Sequence, residues 1–121
     1  METLTDENLI TGFYSAFQRL DADRMNSFYH NDIVFFDPVF DLLKGNEVKQ
    51  MWKMLCSNAK DFSLSFSDIS DKGEGYYTCN WTASYMFSAT GRKVINRVKA
   101  YMKIENGKII EGRVSADGKV I

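Results

Sequence analysis

The chain has 121 residues, of which 45% are apolar and 14% aromatic, with 15 basic and 16 acidic side chains. This length predicts a single domain over residues 1–121. Because no block of like charge occurs, the sequence argues against binding to nucleic acid or to an anionic membrane. No apolar run reaches the ~20 residues that span a bilayer, and the first residues lack the features of a signal peptide. We therefore expect a cytoplasmic protein.

The side chains that prefer transition metals are few. Cys56, Cys79 and His30 are scattered without the spacing of a metal site. No glycine-rich phosphate loop or Gly-x-Ser-x-Gly turn occurs. The sequence therefore predicts free buried thiols, no metal and no cofactor. The aromatic content is typical of either a packed core or a cavity walled by flat rings, and composition by itself favours the packed core.

Three helices are predicted in the first half of the chain. The first is capped by Thr5 and has an apolar face at the i, i+3, i+4, i+7 spacing. That face consists of Ile10, Phe13, Tyr14, Phe17 and Leu20. A second, short helix follows the turn at residues 21–23, is expected to contain Met25, Phe28 and Tyr29, and ends at Asn31-Asp32. The third begins near residues 45–47 and buries Val48, Met51, Trp52 and Leu55.

Strands follow the helices. A first strand is predicted at residues 33–36, closed by Asp37-Pro38 because proline cannot donate to a ladder. From residue 62 onward, apolar and polar residues alternate, which indicates antiparallel strands with one buried face. These strands are expected at 62–67, 76–87, 94–104 and 110–114, the last with Ile110, Gly112 and Val114 facing inward. Asn106-Gly107 is the strongest hairpin signal. Helices on one face of such a sheet define an α+β fold.

Six short segments occur in a recognisable order. They are Phe13-Tyr14-Ser15-Ala16-Phe17, Asp21-Ala22-Asp23, residues 31–38, Lys44-Gly45, Gly91-Arg92-Lys93 and Asn106-Gly107-Lys108-Ile109-Ile110. In order and spacing they resemble the SnoaL-like and ketosteroid-isomerase-like proteins of the nuclear transport factor 2 (NTF2-like) superfamily, over nearly the whole chain. The resemblance implies a cone: a strongly curved, mainly antiparallel sheet that encloses a pocket with the three helices. It also implies a small hydrophobic ligand and a homodimer.

The resemblance also assigns candidate catalytic positions. In the ketosteroid isomerases an aspartate before proline is the general base beside a carbonyl, and Asp37 matches it. Those enzymes stabilise the enolate with a tyrosine and a protonated aspartic acid, whose positions here hold Phe13 and Ala100. One such donor is worth about 10²–10³ in rate, so ketosteroid isomerase activity is not expected. Tyr14 points about 100° away from Phe13 around the helix, so we expect that it does not simply replace the missing tyrosine.

Asp37 is thus the candidate catalytic residue, the alternative being that it caps the turn before the third helix. The candidate pocket residues are Phe13, Tyr14, Met51, Trp52, Trp81, Tyr85, Phe87, Asn96 and Ala100. Asn96 lies on an otherwise apolar strand face, where its partner is either a ligand oxygen or a neighbouring group. His30 is expected at the surface or as a cap. A pair with Asp37 would require the chain to fold back on itself.

Two functions stay open at this point. The first is a cofactor-independent isomerase or cyclase in which Asp37 takes a proton from a small hydrophobic carbonyl compound. The second is a non-catalytic module whose pocket binds a hydrophobic molecule or is filled, and whose sheet mediates dimerisation. An outward row of charged side chains predicts a solvated or dimer-facing sheet surface. The row consists of Arg97, Lys99 and Lys103, set against Glu111 and Arg113.

Overall fold

The computed structural model describes residues 6–37, 41–87, 91–116 and 119–120. The helices are α1 (Asp6–Gln18), α2 (Ala22–Ser27) and α3 (Asn46–Asn58). The strands are β1 (Tyr29–Asp37), β2 (Asp41–Lys44), β3 (Ala59–Gly73), β4 (Tyr76–Phe87), β5 (Arg92–Glu105), β6 (Lys108–Ala116) and β7 (Lys119–Val120). Thr5, Pro38 and Val39 lie outside the described residues, so the predicted helix cap and the proline strand end are not described.

The strands form one sheet in the order β2-β1-β6-β5-β4-β3, with β7 paired to β5. The pairing of β1 with β6 is parallel and the others are antiparallel. β-Bulges interrupt the registers of β1 with β6, β3 with β4 and β5 with β6, and such bulges bend a sheet. The helices pack on the inner face of this curved, open sheet. The predicted α+β architecture, a curved and mainly antiparallel sheet with three helices, is confirmed.

The core lies between the helices and the inner face of the sheet. On α1 the predicted apolar face is buried from Ile10 to Phe17. On β4, residues Tyr77, Cys79, Trp81 and Ala83 are buried, as the alternation predicts. On β5 the buried positions are Val94, Val98, Ala100, Met102 and Ile104. The period of two in the second half of the sequence therefore identifies the inner face correctly.

The predicted boundaries of the second helix, the first strand and β3 are wrong. Tyr29 begins β1 rather than ending α2, and Asn31-Asp32 lie inside β1. The reason is a long-range pairing: Tyr29 is registered with Ile109, and the Ile109 N–H donates to the carbonyl oxygen of Phe28 at 2.9 Å. β3 extends over 15 residues instead of six because its polar ends pair with the whole of β4. β2 was not predicted at all.

The turn predicted for the last hairpin is confirmed, whereas the predicted inward position of Ile110 is wrong. Asn106 and Gly107 both have positive φ angles, of 51° and 75°, as a two-residue hairpin turn requires. A bulge follows, because Lys103 is registered with Glu111 whereas Ile104 is registered with Ile109. The extra residue is Ile110, which is only half-buried, and Ile109 occupies the core in its place. Gly112 and Val114 face the interior as predicted.

Candidate functional site

A small cavity lies between α1, α3, β1 and the inner faces of β4, β5 and β6. Its volume is about 20 Å³, the space in which the centre of a water molecule can move. Seven aromatic residues line it: the exposed Tyr101 and six buried ones, Phe13, Tyr14, Tyr29, Phe35, Trp52 and Trp81. The rest of the wall, on the side of the sheet, is formed by Ala100, Met102, Ile109, Gly112, Arg113 and Val114. We call this space the aromatic cavity.

The aromatic cavity brings together part of the predicted site. Phe13, Tyr14, Trp52, Trp81 and Ala100 all line it. The resemblance placed the two missing donor positions at Phe13 and Ala100, and both are walls of this one cavity. The 100° offset between neighbouring helix residues does not remove Tyr14 from it, because the rings of Phe13 and Tyr14 meet edge to face with centroids 5.2 Å apart. Both side chains are buried.

Sequence reasoning missed Tyr29 and Phe35 as cavity residues. Both belong to β1 and are 5% exposed. Tyr29 was missed because it was assigned to the preceding helix. Phe35 could have been found from strand alternation, since it is inward-facing while its neighbour Phe36 is exposed.

Two of the tyrosines that line the aromatic cavity, Tyr14 and Tyr29, are buried. The Trp52 indole N–H donates to the Tyr29 hydroxyl at 2.9 Å, and the ring of Trp81 lies beside that of Tyr14, with centroids 6.5 Å apart. Burial raises the pKa of Tyr29 and, well above its usual value, the pKa of Tyr14. A phenolate would lose its hydration here, so the neutral phenol is favoured. The cavity therefore contains two phenols that stay protonated at neutral pH.

Asp37 ends β1, is half-buried, and is registered with Asp41 across the β1–β2 pair. By alternation it shares the face of Phe35, two residues earlier, so it lies on the inner side of the strand beyond the aromatic cavity. It is not among the residues that line this cavity. The two residues that follow it are not described, and its role as a base remains a prediction.

Four other predicted pocket residues lie outside the aromatic cavity or are undescribed. Asn96 Nδ2 donates to the Tyr85 hydroxyl at 3.3 Å, so the partner of this amide is a neighbouring side chain. Tyr85 packs against Phe62, with ring centroids 6.2 Å apart. Met51 is buried in the core without lining the cavity. The side chain of Phe87 lies outside the described residues.

His30 takes part in a local arrangement on β1. Its Nδ1 accepts a hydrogen bond from the backbone N–H of Asp32 at 3.0 Å and lies 3.9 Å from the Asp32 carboxylate. Asp37 is seven residues further along the same strand, which corresponds to roughly 20 Å of extended chain. His30 and Asp37 therefore do not form a pair, and the expected position of His30 outside the site agrees with the structure.

Cys56 and Cys79 are free and buried, as predicted. Burial raises the pKa of each thiol to about 11. The described residues contain no group of three or more His, Cys, Asp or Glu side chains arranged to hold a metal ion. None of the helices in the described part of the chain combines the length and the apolar character needed to cross a bilayer.

The outer face of the sheet, turned away from the helices, exposes large apolar side chains. Phe36, Leu42, Tyr76 and Tyr101 are 37–52% exposed and line a shallow groove of about 290 Å³. Cationic groups lie 5.2–5.6 Å from three of these rings: Lys99 over Tyr101, Lys103 over Tyr76 and Arg113 over Phe36. Although the acidic and basic side chains of the whole chain nearly balance, this surface of the sheet combines aromatic rings with positive charge.

The fold and its aromatic cavity define a class of protein, the NTF2-like proteins with a ketosteroid-isomerase-like fold. A family model described as a SnoaL-like domain matches residues 10–112. The chain therefore belongs to the SnoaL-like family. No curated protein matches the sequence.

Solved structures with the same fold are distant in sequence. One is SalBIII, an epoxide hydrolase/cyclase-like enzyme with a role in pyran ring formation in the polyether salinomycin. It superposes with a TM-score of 0.83 at 14% sequence identity, and the match covers 95% of each chain. TerC, co-crystallised with polyporic acid, gives a TM-score of 0.77 at 15% identity, over 93% of this chain and 91% of TerC. A protein with a ketosteroid-isomerase-like fold from Catenulispora acidiphila, in complex with trimethylamine, gives a TM-score of 0.76 at 6% sequence identity. The match covers 88% of this chain and 83% of the Catenulispora protein. At these identities the likeness concerns the fold.

Proposed function

We propose that this chain is a cytoplasmic, cofactor-independent protein that binds a small hydrophobic carbonyl compound in the aromatic cavity. The observation that carries the proposal is a cavity walled by six buried aromatic rings at the position where the resemblance places the catalytic donors of the isomerases. Its wall is mostly apolar with a few polar groups, an arrangement typical of small-molecule sites. Asp37, on the inner face of β1 beyond Phe35, is the candidate general base of an isomerase or cyclase.

The size of the cavity limits the ligand. At about 20 Å³ it is far below the ~300–1,000 Å³ of sites for drug-sized molecules. A cavity of this size holds about one water molecule, so even a ligand of a few heavy atoms requires the lining side chains to shift, and a larger one requires the walls to separate. Both sizes occur on this fold, since the Catenulispora protein is in complex with trimethylamine and TerC was co-crystallised with polyporic acid.

Filling the aromatic cavity should abolish binding. Small ketones from acetone to cyclohexanone are expected to raise the melting temperature of the wild type, because a ligand of the folded state stabilises it by about 2.7 kcal/mol at 100 times its Kd. Ala100→Val places methyl groups in the cavity and should remove this effect. Ala83→Val, at a buried alanine of β4 that does not line the cavity, is the matched control. If no ketone raises the melting temperature of the wild type or Ala83→Val, the proposed binding function is wrong.

Catalysis is tested separately through Asp37. A general base beside a carbonyl exchanges the α-protons of a bound ketone with solvent deuterium, and such a group contributes about 10²–10⁴ in rate. Asp37→Asn should lower this exchange by that factor while ketone binding persists. Asp41→Asn, which removes the carboxylate registered opposite Asp37, is the control for charge. Equal exchange rates for the wild type and Asp37→Asn would leave the non-catalytic binding module as the function.

A homodimer through the outer face is the second candidate, favoured by its exposed aromatic side chains. Because two copies would bring like charges together, salt should strengthen the dimer rather than weaken it. Sedimentation at 50 and 500 mM NaCl should show more dimer at the higher concentration. Phe36→Ser should reduce dimerisation, whereas Met54→Ser, at an equally exposed position on α3, should not. A monomer under both conditions would contradict the proposal.

A further inference from the structure

The groove on the outer face of the sheet is much larger than the aromatic cavity. Its volume is about 290 Å³, close to the lower end of the ~300–1,000 Å³ of small-molecule sites. We call this space the outer groove. Its exposed apolar side chains are Phe36, Leu42, Tyr76 and Tyr101, and its charged side chains are Lys103, Glu111 and Arg113. A flat ligand therefore has room here without movement of the walls.

The strand registers place an arginine between two of these aromatic side chains. Phe36 of β1, Arg113 of β6 and Tyr101 of β5 are registered neighbours in one row across the sheet. Leu42 of β2 continues the row beyond Phe36. Neighbouring strands lie about 4.8 Å apart, so a molecule the size of two fused rings can contact several members of the row at once. Exposed apolar side chains that lie together in this way are typical of interaction sites.

Arg113 supplies a positive charge that no neighbouring carboxylate neutralises. Lys103 differs, because its ammonium group lies 3.5 Å from the Glu105 carboxylate and it is registered opposite Glu111. Among the residues that the structure describes, Arg113 forms no ion pair, and its guanidinium lies 5.3 Å from the centre of the Phe36 ring. A guanidinium binds a carboxylate through two parallel hydrogen bonds, which a ring face does not provide. The outer groove thus offers apolar surface and one cation to an anionic ligand.

We infer that the outer groove binds a small aromatic carboxylate, whose rings lie against Phe36 and Tyr101 and whose carboxylate pairs with Arg113. The inference goes beyond the proposed function, because the outer groove lies on the face of the sheet opposite the helices. A cationic ligand is disfavoured, since Lys99, Lys103 and Arg113 already lie over the rings. A second copy of the chain would cover the same rings, but it would bring these like charges together.

Three probes with the same pair of fused rings test the charge of the ligand. 2-Naphthoate carries a carboxylate, 2-naphthalenemethanol is neutral, and 2-naphthylmethylammonium is a cation. Equilibrium dialysis against the full chain measures the affinity of each probe. We expect naphthoate to bind about tenfold more tightly than the alcohol, because its carboxylate gains charged hydrogen bonds. Raising NaCl from 50 to 500 mM should weaken this preference, since salt screens exposed charges.

Two variants test the position of the site. Arg113→Gln should reduce the affinity for naphthoate to that for the alcohol. Arg97→Gln removes an exposed cation of the same strand as Tyr101 that does not line the outer groove, and it is the matched control. Phe36→Ser should weaken the binding of both naphthoate and the alcohol, because it removes a ring that each contacts. All three positions are exposed, so the melting temperatures should stay close to that of the wild type.

Several results would overturn the inference. They are equal affinities for naphthoate and the alcohol, tightest binding of the ammonium, or naphthoate binding that Arg113→Gln leaves intact. Naphthoate binding that Ala100→Val removes would assign this ligand to the aromatic cavity instead. If no probe binds and sedimentation shows a dimer that Phe36→Ser dissociates, a second copy of the chain is the occupant of this face. A monomer that binds none of the probes would contradict the inference without bearing on the ketone site.

Discussion

Trp52→Ala is expected to lower the free energy of unfolding by about 3–5 kcal/mol, the range for removing a buried aromatic side chain. The Trp52 ring is 5% exposed and meets the rings of Phe13, Phe17 and Phe35 with centroids 5.0–6.1 Å apart. It also donates to the Tyr29 hydroxyl. Because a single domain is stable by about 5–15 kcal/mol, this one change removes a large part of the total.

Urea denaturation at neutral pH measures this effect. Trp52→Phe separates its two parts, because it keeps a ring but leaves the Tyr29 oxygen without its donor, a loss of about 1–3 kcal/mol. Met54→Ala, an exposed position of the same helix, should change stability by less than about 0.5 kcal/mol. A loss below about 1.5 kcal/mol for Trp52→Ala would mean that the core around α3 is not packed as described.

Stability is expected to fall steeply above pH 10. The folded-state pKa of Tyr14 and of Tyr29 is raised, chiefly by burial. Above pH 10 the unfolded chain loses these protons while the folded chain keeps them, so the unfolded state binds fewer protons and unfolding becomes easier as the pH rises. Each phenol contributes a slope of about 1.4 kcal/mol per pH unit until its folded pKa is reached. The stabilisation is fully present below pH 10.

Denaturation by urea at pH 9, 10 and 11 measures this slope. The thiols of Cys56 and Cys79, with pKa raised to about 11, add to it from about pH 9 upward. The comparison is therefore between the wild type and Tyr29→Phe, which both keep the thiols. Between pH 10 and 11, the free energy of unfolding should fall less steeply in the variant than in the wild type, by about 1.4 kcal/mol per pH unit. Tyr101→Phe controls for loss of a hydroxyl at an exposed site. Identical slopes for the wild type and Tyr29→Phe would contradict the burial of this phenol.

The fold could be predicted because its periodic segments are long. The alternation along β4 and β5 and the apolar spacing of α1 are local properties, and each identifies one buried face. The missed features depend on distant partners. Tyr29 joins a strand because it is registered with Ile109, and Ile109 displaces Ile110 from the core because of a bulge opposite Lys103 and Ile104. Such pairings leave no local pattern in the sequence.

The candidate site was predicted in part for a related reason. Phe13 follows from the helical spacing of α1, and Trp81 and Ala100 follow from strand alternation; all three line the aromatic cavity. The volume of a cavity depends on how large side chains meet across it, which spacing does not reveal. The hydrogen bond from Trp52 to Tyr29, between residues 23 positions apart, is likewise a product of packing. Asn96 illustrates the converse, since its polarity is satisfied by Tyr85 rather than by a ligand.

The position of β6 in the sheet has a consequence for synthesis on the ribosome. β6 lies between β1 and β5, so β1 and β2 join the remaining strands only through it. A nascent chain that has emerged as far as β5 therefore exposes an unpaired strand edge on β1, with the inner side of α1 and α3 only partly covered. Pairings of such high contact order form slowly. Folding of this domain is thus expected to be completed only after β6 has emerged from the ribosome, with a period in which incomplete chains depend on chaperones to avoid aggregation.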